Sequence, residues 1–354
     1  MSSLHYKKFV YIFAGLLLLF LSFHAAMWFG LTSKLLDVQK PQQVGDLARL
    51  GYQLSSAHLR TKEILLPNRH IKAHEWDYSS VDIITIGDSF SNGGGGGKNP
   101  YYQDYIASNN ALRVLNINNL SKDTNNIETL MAWYNNGLLE KTRPKAVLIE
   151  SIERLALARF AKTVRWDSNL SVDALKHNIK TRSSNTDAPK VSKPTIINTA
   201  NYKIVFYNLF YLFSDNAFKQ SLTYKRELSR DLFSGETKNT LLFYQQDITS
   251  IPLVNEKNIR LMNENFNTMA QKLEQLDIKL YVMIAPDKYD LYQEYIIDNP
   301  YQKNNFFPLL RELEKEYTFI DTKKVLLDMV QEGQKDVYFA DDTHWNYKAS
   351  EAIF

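Results

Sequence analysis

The sequence predicts an α/β fold, a parallel sheet covered by helices on both faces, set behind a single N-terminal membrane-spanning helix. Three observations carry this. Short apolar runs bounded by Gly or Pro recur between residues 81 and 320. Amphipathic stretches of helical length separate them. One long uncharged apolar run precedes them all. Strands that alternate with helices build parallel sheets buried on both faces.

The apolar run comes first. His5, Lys7 and Lys8 precede an uncharged stretch over residues 9–33, centred on Leu16-Leu17-Leu18-Leu19-Phe20-Leu21. A helix needs about 20 apolar residues to cross a bilayer, and this run is long enough. A secretory signal has a shorter apolar core and a small-residue cleavage site. His24-Ala25-Ala26-Met27 is a poor site, so residues 1–34 are read as a cytoplasmic tail and a retained anchor. A cleaved signal is the alternative and leaves the compartment unchanged. Basic residues ahead of the helix put the N-terminus inside, weakly opposed by Lys34 and Lys40 after it. The protein is therefore expected to be single-pass in the cytoplasmic (inner) membrane, with the rest of the chain periplasmic or otherwise extracytoplasmic.

Residues 35–78 read as a polar, helical stalk broken at Pro41. The domain expected over 79–354 then opens with a buried strand at 81–86, ending at Gly87. Residues 112–117 form a second strand, 124–139 a helix, and 146–149 a third strand. A long amphipathic helix over 256–276 leads to a fourth strand at 278–284, stopped by Pro286. A helix over 306–316 and a short strand at 317–320 follow. An insertion occupies about 160–250. Its first part, 166–200, is polar with prolines at 189 and 194, and reads as a mobile loop. Residues 201–214 are aromatic but too short to span a bilayer, and are expected to be a helix packed on the sheet. A closing helix begins shortly before Phe354, early for such a fold, so it is expected to be cut short.

Composition excludes several functions. A net charge of +3 is too small to argue for nucleic acid. The absence of cysteine excludes disulfides, thiol nucleophiles and cysteine metal sites. No cluster has metal-ligand spacing, and no metal or cofactor is expected. The 21 Tyr and 19 Phe suit a surface that meets sugars, or simply reflect a Tyr-rich proteome.

Gly87-Asp88-Ser89-Phe90 follows directly on a buried strand. Ligands of open α/β sheets bind beyond the carboxyl ends of the strands, so Ser89 is held where a substrate can reach it. A serine nucleophile needs a base. Of seven histidines, only His344 sits in a pointed context, Asp341-Asp342-Thr343-His344-Trp345-Asn346. An aspartate two or three residues before it can accept the imidazole Nδ1–H bond and stabilise the imidazolium. The same run also suits a helix N-cap. The five-glycine run 93–97 beside the serine is not a phosphate loop, because Lys98-Asn99-Pro100 follows. It reads equally as a flap over the site or as a tolerated expansion of a surface loop.

Gly-Asp-Ser-Phe with a late Asp-x-x-His resembles the SGNH (GDSL-type) hydrolase superfamily. More narrowly, Asp342-Thr343-His344-Trp345 resembles the DxHW signature of alginate O-acetyltransferase-like SGNH proteins. Ile149-Glu150-Ser151-Ile152-Glu153-Arg154 and Ala285-Pro286-Asp287-Lys288-Tyr289-Asp290-Leu291-Tyr292 resemble further segments of that group. The resemblance covers roughly residues 80–354. It implies a flavodoxin-like three-layer α/β/α core and acetyl-ester chemistry on an extracellular polysaccharide. The order differs from alginate acetyltransferases, in which the Asp-His pair precedes the serine. The hydrolases' oxyanion glycine is replaced within 116–121, where Asn118 or Ser121 stands in its place. Their Gly-x-Asn-Asp block is replaced by Ile152-Glu153-Arg154, which favours the acyltransferase branch. The superfamily spacing selects Asp341 and the narrower one Asp342; Trp345 favours Asp342.

The expected triad is thus Ser89, His344 and Asp342, with Asp341 as the alternative. Asp88, Asn118, Ser121, Arg154, Lys288, Tyr292 and Trp345 are oxyanion or substrate-binding candidates. Arg154 and Lys288 follow strands, where they can bind an anionic sugar or merely be solvated charges. The reading is a membrane-anchored O-acyltransferase working by double displacement on a cell-surface or exopolysaccharide acceptor. The resemblance implies a membrane-bound O-acyltransferase partner that supplies the acyl group. The rivals are a secreted carbohydrate esterase and a non-catalytic polysaccharide-binding or secretion-complex scaffold.

Overall fold

In the computed structural model, residues 3–36, 42–121, 123–184 and 195–354 are described; Pro41 and the centre of the polar loop, 185–194, lie outside them. The strands are β1 Gln42–Gln43, β2 Arg60–Thr61, β3 Ile71–Lys72, β4 Ile83–Ile86, β5 Val114–Ile117, β6 Ala146–Ile152, β7 Thr223–Glu227, β8 Thr240–Tyr244, β9 Lys279–Ala285 and β10 Thr318–Ile320. Six of them form one sheet in the order β10-β9-β6-β4-β5-β3. Every pairing in it is parallel.

Without the edge strand β3, the order is that of a flavodoxin-like doubly wound sheet, with β4 first in sequence and β5 and β6 on either side of it. The chain reverses its direction of travel across the sheet at that point. The crevice between the carboxyl ends of β4 and β6 is where such a sheet binds ligands. Register puts Ile86 of β4 beside Ile117 of β5 and Ile149 of β6, so the turn after Ile86 emerges at this crevice.

The strands are apolar on both sides, as a parallel sheet covered on both faces requires. On one face, Ile84, Ile86, Val147, Ile149, Val282 and Ile284 pack with helices Asn126–Asn135, Glu153–Phe160 and Glu256–Glu274. The last of these buries Ile259, Met262, Phe266, Met269 and Leu273, an apolar stripe at helical spacing. Asn255 caps it by accepting the Asn258 N–H at 3.0 Å. On the other face, Leu148, Ile152, Met283 and Ala285 meet helices Tyr102–Asn110, Thr322–Gln331 and Tyr347–Ile353.

Several expectations are corrected. The helix expected over 124–139 is two, Asn126–Asn135 and Leu138–Thr142, divided at Gly137, whose φ of 66° a glycine adopts without steric cost. The described residues of the expected stalk are not a free linker. β1 pairs with β2, β3 joins the main sheet beside β5, and the segment between them crosses the carboxyl end of the sheet. Helix Ala200–Phe210 does not pack on the sheet. Ile204 meets Leu35, Val44 and Ala48, and Asn201 Nδ2 lies 2.7 Å from His24 Nδ1. The antiparallel hairpin of β7 and β8 was not expected at all. His5–Leu36 is one helical run, long and apolar enough to cross a membrane, with a π-helical turn at Trp28–Thr32.

Candidate active site

The turn after β4 is built by what surrounds Gly87. A Cβ there would collide with Ser91 Oγ and Glu150 Oε2, so only glycine lets the chain pass so close to β6. Glu150, buried on β6, accepts the Asp88 N–H at 2.9 Å, the Ser91 N–H at 3.3 Å and the Ser91 hydroxyl at 2.8 Å. Burial, followed by the Asp88 charge, pushes the Glu150 carboxyl well above the usual range. Asp88 ties the same turn outward. Its Oδ2 accepts the Ile152 N–H at 2.9 Å and Arg159 Nη1 at 2.6 Å. The Ser89 side chain is thereby left exposed at the tip.

His344 Nε2 lies 2.7 Å from Ser89 Oγ, and its Nδ1 lies 2.6 Å from Asp342 Oδ1. This is the relay in which a serine hydroxyl donates to Nε2 while Nδ1–H donates to a carboxylate. Asp342 Oδ1 also accepts the His344 backbone N–H at 3.0 Å, an Asx-turn that brings carboxylate and ring together. Burial opposes charge on both groups, but the His344 charge and hydrogen bond, with Arg60 behind them, hold Asp342 well below the usual carboxylate range. Burial would likewise lower His344; the Asp342 and Asp46 charges outweigh it and raise its pKa.

Asp341 takes no part in this relay. Its Oδ2 accepts the Gly45 and His58 backbone N–H groups, each at 2.9 Å, and its Oδ1 accepts Arg60 Nη1 at 3.1 Å. The other arm of the Arg60 guanidinium, Nη2, donates to Asp342 Oδ2 at 3.0 Å. One buried arginine thus bridges both aspartates and offsets the repulsion between two neighbouring carboxylates. Asp46 adds a third tie. It accepts the Thr343 N–H at 2.8 Å and the Thr343 hydroxyl at 2.6 Å. The segment read as a stalk is therefore a clasp on the histidine loop. Gly45, Asp46, His58 and Arg60 were missed because nothing in their local sequence marks them.

The remaining candidates sort by burial. Lys288 is fully buried and donates to the Phe339, Ala340 and Asp342 carbonyls at 2.7, 2.9 and 3.2 Å. It supports the histidine loop from beneath instead of reaching an anionic sugar. Burial pulls its pKa down to about 8 against the pull of Asp341 and Asp342. Arg154, also buried, donates through Nη1 to Asp287 at 2.8 Å and Asp247 at 3.3 Å, so its charge is consumed inside the protein. The Tyr292 hydroxyl is buried and accepts the Tyr338 N–H at 3.3 Å. Trp345 packs edge-on against Phe90, whose ring lies 4.7 Å from that of His344; it braces the site without lining it. Ser121 closes a local turn by accepting the Asp123 N–H at 3.2 Å. Asn118 stands one residue past the Ile86–Ile117 pair, half-buried, and its side chain makes no hydrogen bond among the described residues. It is the one oxyanion candidate whose amide is uncommitted.

The glycine run is held against the histidine. The Gly94 N–H donates to the Ser89 carbonyl at 2.7 Å, and a Cβ on Gly94 would collide with His344 Nε2. Gly95 and Gly97 both have positive φ and face the Phe339 ring. Glu63, in the clasp, pairs with Lys98 just beyond the run. At least Gly94 is thus required by packing, not tolerated as an expansion.

Residues 236–353 match the family model of the SGNH hydrolase-like domain of acetyltransferase AlgX. The match covers the final third of the chain, including the His344 loop, and agrees with the resemblance carried by the DxHW run. It supports an acetyltransferase or SGNH hydrolase type of function. No curated protein and no solved structure matches the chain significantly.

Proposed function

We propose that this protein is a membrane-anchored serine O-acyltransferase, acting outside the cytoplasmic membrane on a polysaccharide hydroxyl. The observation that carries the reading is the unbroken relay from Ser89 through His344 to Asp342, at 2.7 and 2.6 Å, with an exposed serine at a doubly wound sheet's switch point. The family match over the histidine loop favours acetyl transfer.

In this reading, Ser89 Oγ attacks the carbonyl carbon of an acyl donor while His344 Nε2 takes the hydroxyl proton. His344 returns the proton to the leaving group, and an acyl-serine remains. An acceptor hydroxyl then gives its proton to His344 and attacks the acyl-serine, releasing the new ester and restoring Ser89. The uncommitted Asn118 amide and the Ser89 backbone N–H are the donors proposed for the developing oxyanion. The acyl group would come from a membrane-bound O-acyltransferase partner, since the chain itself spans the bilayer once in this reading.

Ser89→Ala is expected to reduce p-nitrophenol release from p-nitrophenyl acetate by several orders of magnitude with the fold intact. Wild-type-like turnover by the purified variant rejects the serine mechanism. Product analysis with an O-deacetylated polysaccharide separates the transferase, which yields an acetylated polymer, from an esterase, which yields only acetate.

A further inference from the structure

Helix Ala200–Phe210 is apolar on both sides. Ala200, Asn201, Ile204 and Tyr207 form its buried face, against the base of the N-terminal helix and the segment that follows it. The opposite face should be polar if it met water, because a surface helix carries its charges there. Instead it presents Val205, Phe206 and Leu209, all exposed. The chain continues the patch beyond the helix with Leu212, 73% exposed, Phe213, 75% exposed, and Phe218. A contiguous apolar surface of this kind marks an interaction site.

Its position identifies what it meets. The N-terminal helical run covers 32 residues, His5–Leu36, roughly 48 Å at 1.5 Å per residue. The hydrocarbon core is about 30 Å thick and takes about 20 residues. Counted from Phe9, the first residue after the basic flank, those residues are used up near Trp28. The protein covers the helix from about one turn before that level: His24 is buried, Phe23 stacks on Tyr202 at 4.9 Å, and His24 Nε2 lies 3.2 Å from the Tyr202 hydroxyl. Helix Ala200–Phe210 therefore meets the anchor within about one turn of the level where the anchor leaves the hydrocarbon. Two exposed lysines, Lys203 and Lys219, lie in the same stretch of chain as the patch, as suits the anionic headgroups of a membrane surface.

We propose that the apolar face of residues 205–218 lies in the headgroup–acyl boundary of the bilayer that the anchor crosses, giving the protein a second membrane contact. The inference rests on the reading of residues 5–36 as a membrane anchor. A single spanning helix leaves a domain free to rotate about its axis. A second contact beside it fixes that rotation and holds the sheet edge bearing Ser89 at one orientation to the membrane.

The absence of cysteine in the chain makes the test direct. Single cysteines are placed at Leu18, Phe213 and Leu253 of the full-length protein and labelled with an environment-sensitive fluorophore. The proteins are reconstituted into liposomes of phosphatidylethanolamine and phosphatidylglycerol. Leu253, exposed in the turn before helix Glu256–Glu274, serves as the aqueous reference. The Phe213 label is expected to emit blue-shifted relative to Leu253, and doxyl-lipids to quench it several-fold more. A Leu18 label in lipid with a Phe213 label as wet as Leu253 overturns the second contact and leaves the anchor standing, an outcome that includes a protein partner as the true occupant. Leu18 and Phe213 both in water overturn the anchor reading and the inference with it.

Discussion

Two adjacent aspartates lie beside the His344 imidazole, and the local backbone gives them different contacts. An aspartate accepting the N–H two residues on is held over that residue's side chain; Asp342 does this to His344, while Asp341 points away into the clasp. Asp342→Asn is expected to keep the fold and lower kcat by about 10⁴-fold, since the amide donates to Nδ1 and stabilises the wrong tautomer. Asp341→Asn is expected to leave kcat nearly unchanged. It removes the charged acceptor of Gly45, His58 and Arg60 and lowers stability by about 3 kcal/mol, visible as a lower melting temperature. The two variants measured on one ester decide the assignment; the reverse pattern rejects it. The pH profile follows from the same carboxylates. His344 must be neutral to take the serine proton, and its pKa lies above the ordinary value of about 6.5. Activity should therefore fall on acidification through a midpoint above that value. Asp46→Asn removes one raising charge and should move the midpoint to lower pH; an unmoved midpoint rejects the role of Asp46.

At the scale of elements, the site is assembled by three loops pressed together. The β4 turn brings Ser89, the loop after residue 338 brings His344, and the glycine run lies between them. Such contact leaves no room for a side chain at Gly94, where a Cβ would collide with His344 Nε2. Gly94→Ala is expected to cost at least about 100-fold in kcat, because displacing a reacting group by about 1 Å costs that much. The melting temperature should change little, since the loop is outside both cores. Gly97→Ala, whose Cβ meets only the edge of Phe339 at 3.4 Å and the Arg60 chain at 3.7 Å, pays for its positive φ but leaves the imidazole in place. It is expected to lose stability with little loss of kcat. Equal kinetic losses in the two variants count against the packing argument.

For the whole molecule, the consequence is that the catalytic unit begins near residue 42, well ahead of the first strand of the doubly wound core. Deleting residues 1–35 removes nearly all of the apolar N-terminal helix and leaves the clasp, so esterase activity is expected to persist. The patch on helix Ala200–Phe210 then loses its neighbour, and the shortened protein should self-associate unless detergent is present. Deleting residues 1–64 removes Gly45, Asp46, His58 and Arg60. Asp341 is left as a buried charge without its partners and Asp342 keeps His344 but loses Arg60, which costs about 3–5 kcal/mol for each broken pair. Activity is expected to disappear even where circular dichroism still shows an α/β protein. An active 65–354 fragment contradicts the clasp.

The long apolar N-terminal helix, the strands of the sheet and the exposed serine after β4 were legible because each depends on a local property: the length of an apolar run, a short buried stretch, a glycine at a turn. The pairing of Ser89 with His344 was legible as chemistry, since a serine needs a base and only one histidine stood beside aspartates. The Thr-His-Trp context favoured Asp342, and the structure places that carboxylate on His344; tertiary structure alone decided what Lys288 and Arg154 contact and that the supposed stalk meets the histidine loop. The reason is that these depend on contacts between residues far apart in sequence. Arg60 reaches Asp341 across 281 positions, and Lys288 reaches the Asp342 carbonyl across 54. A buried charge is defined by its partner, and no periodicity or motif near Arg60 announces a partner at the other end of the chain.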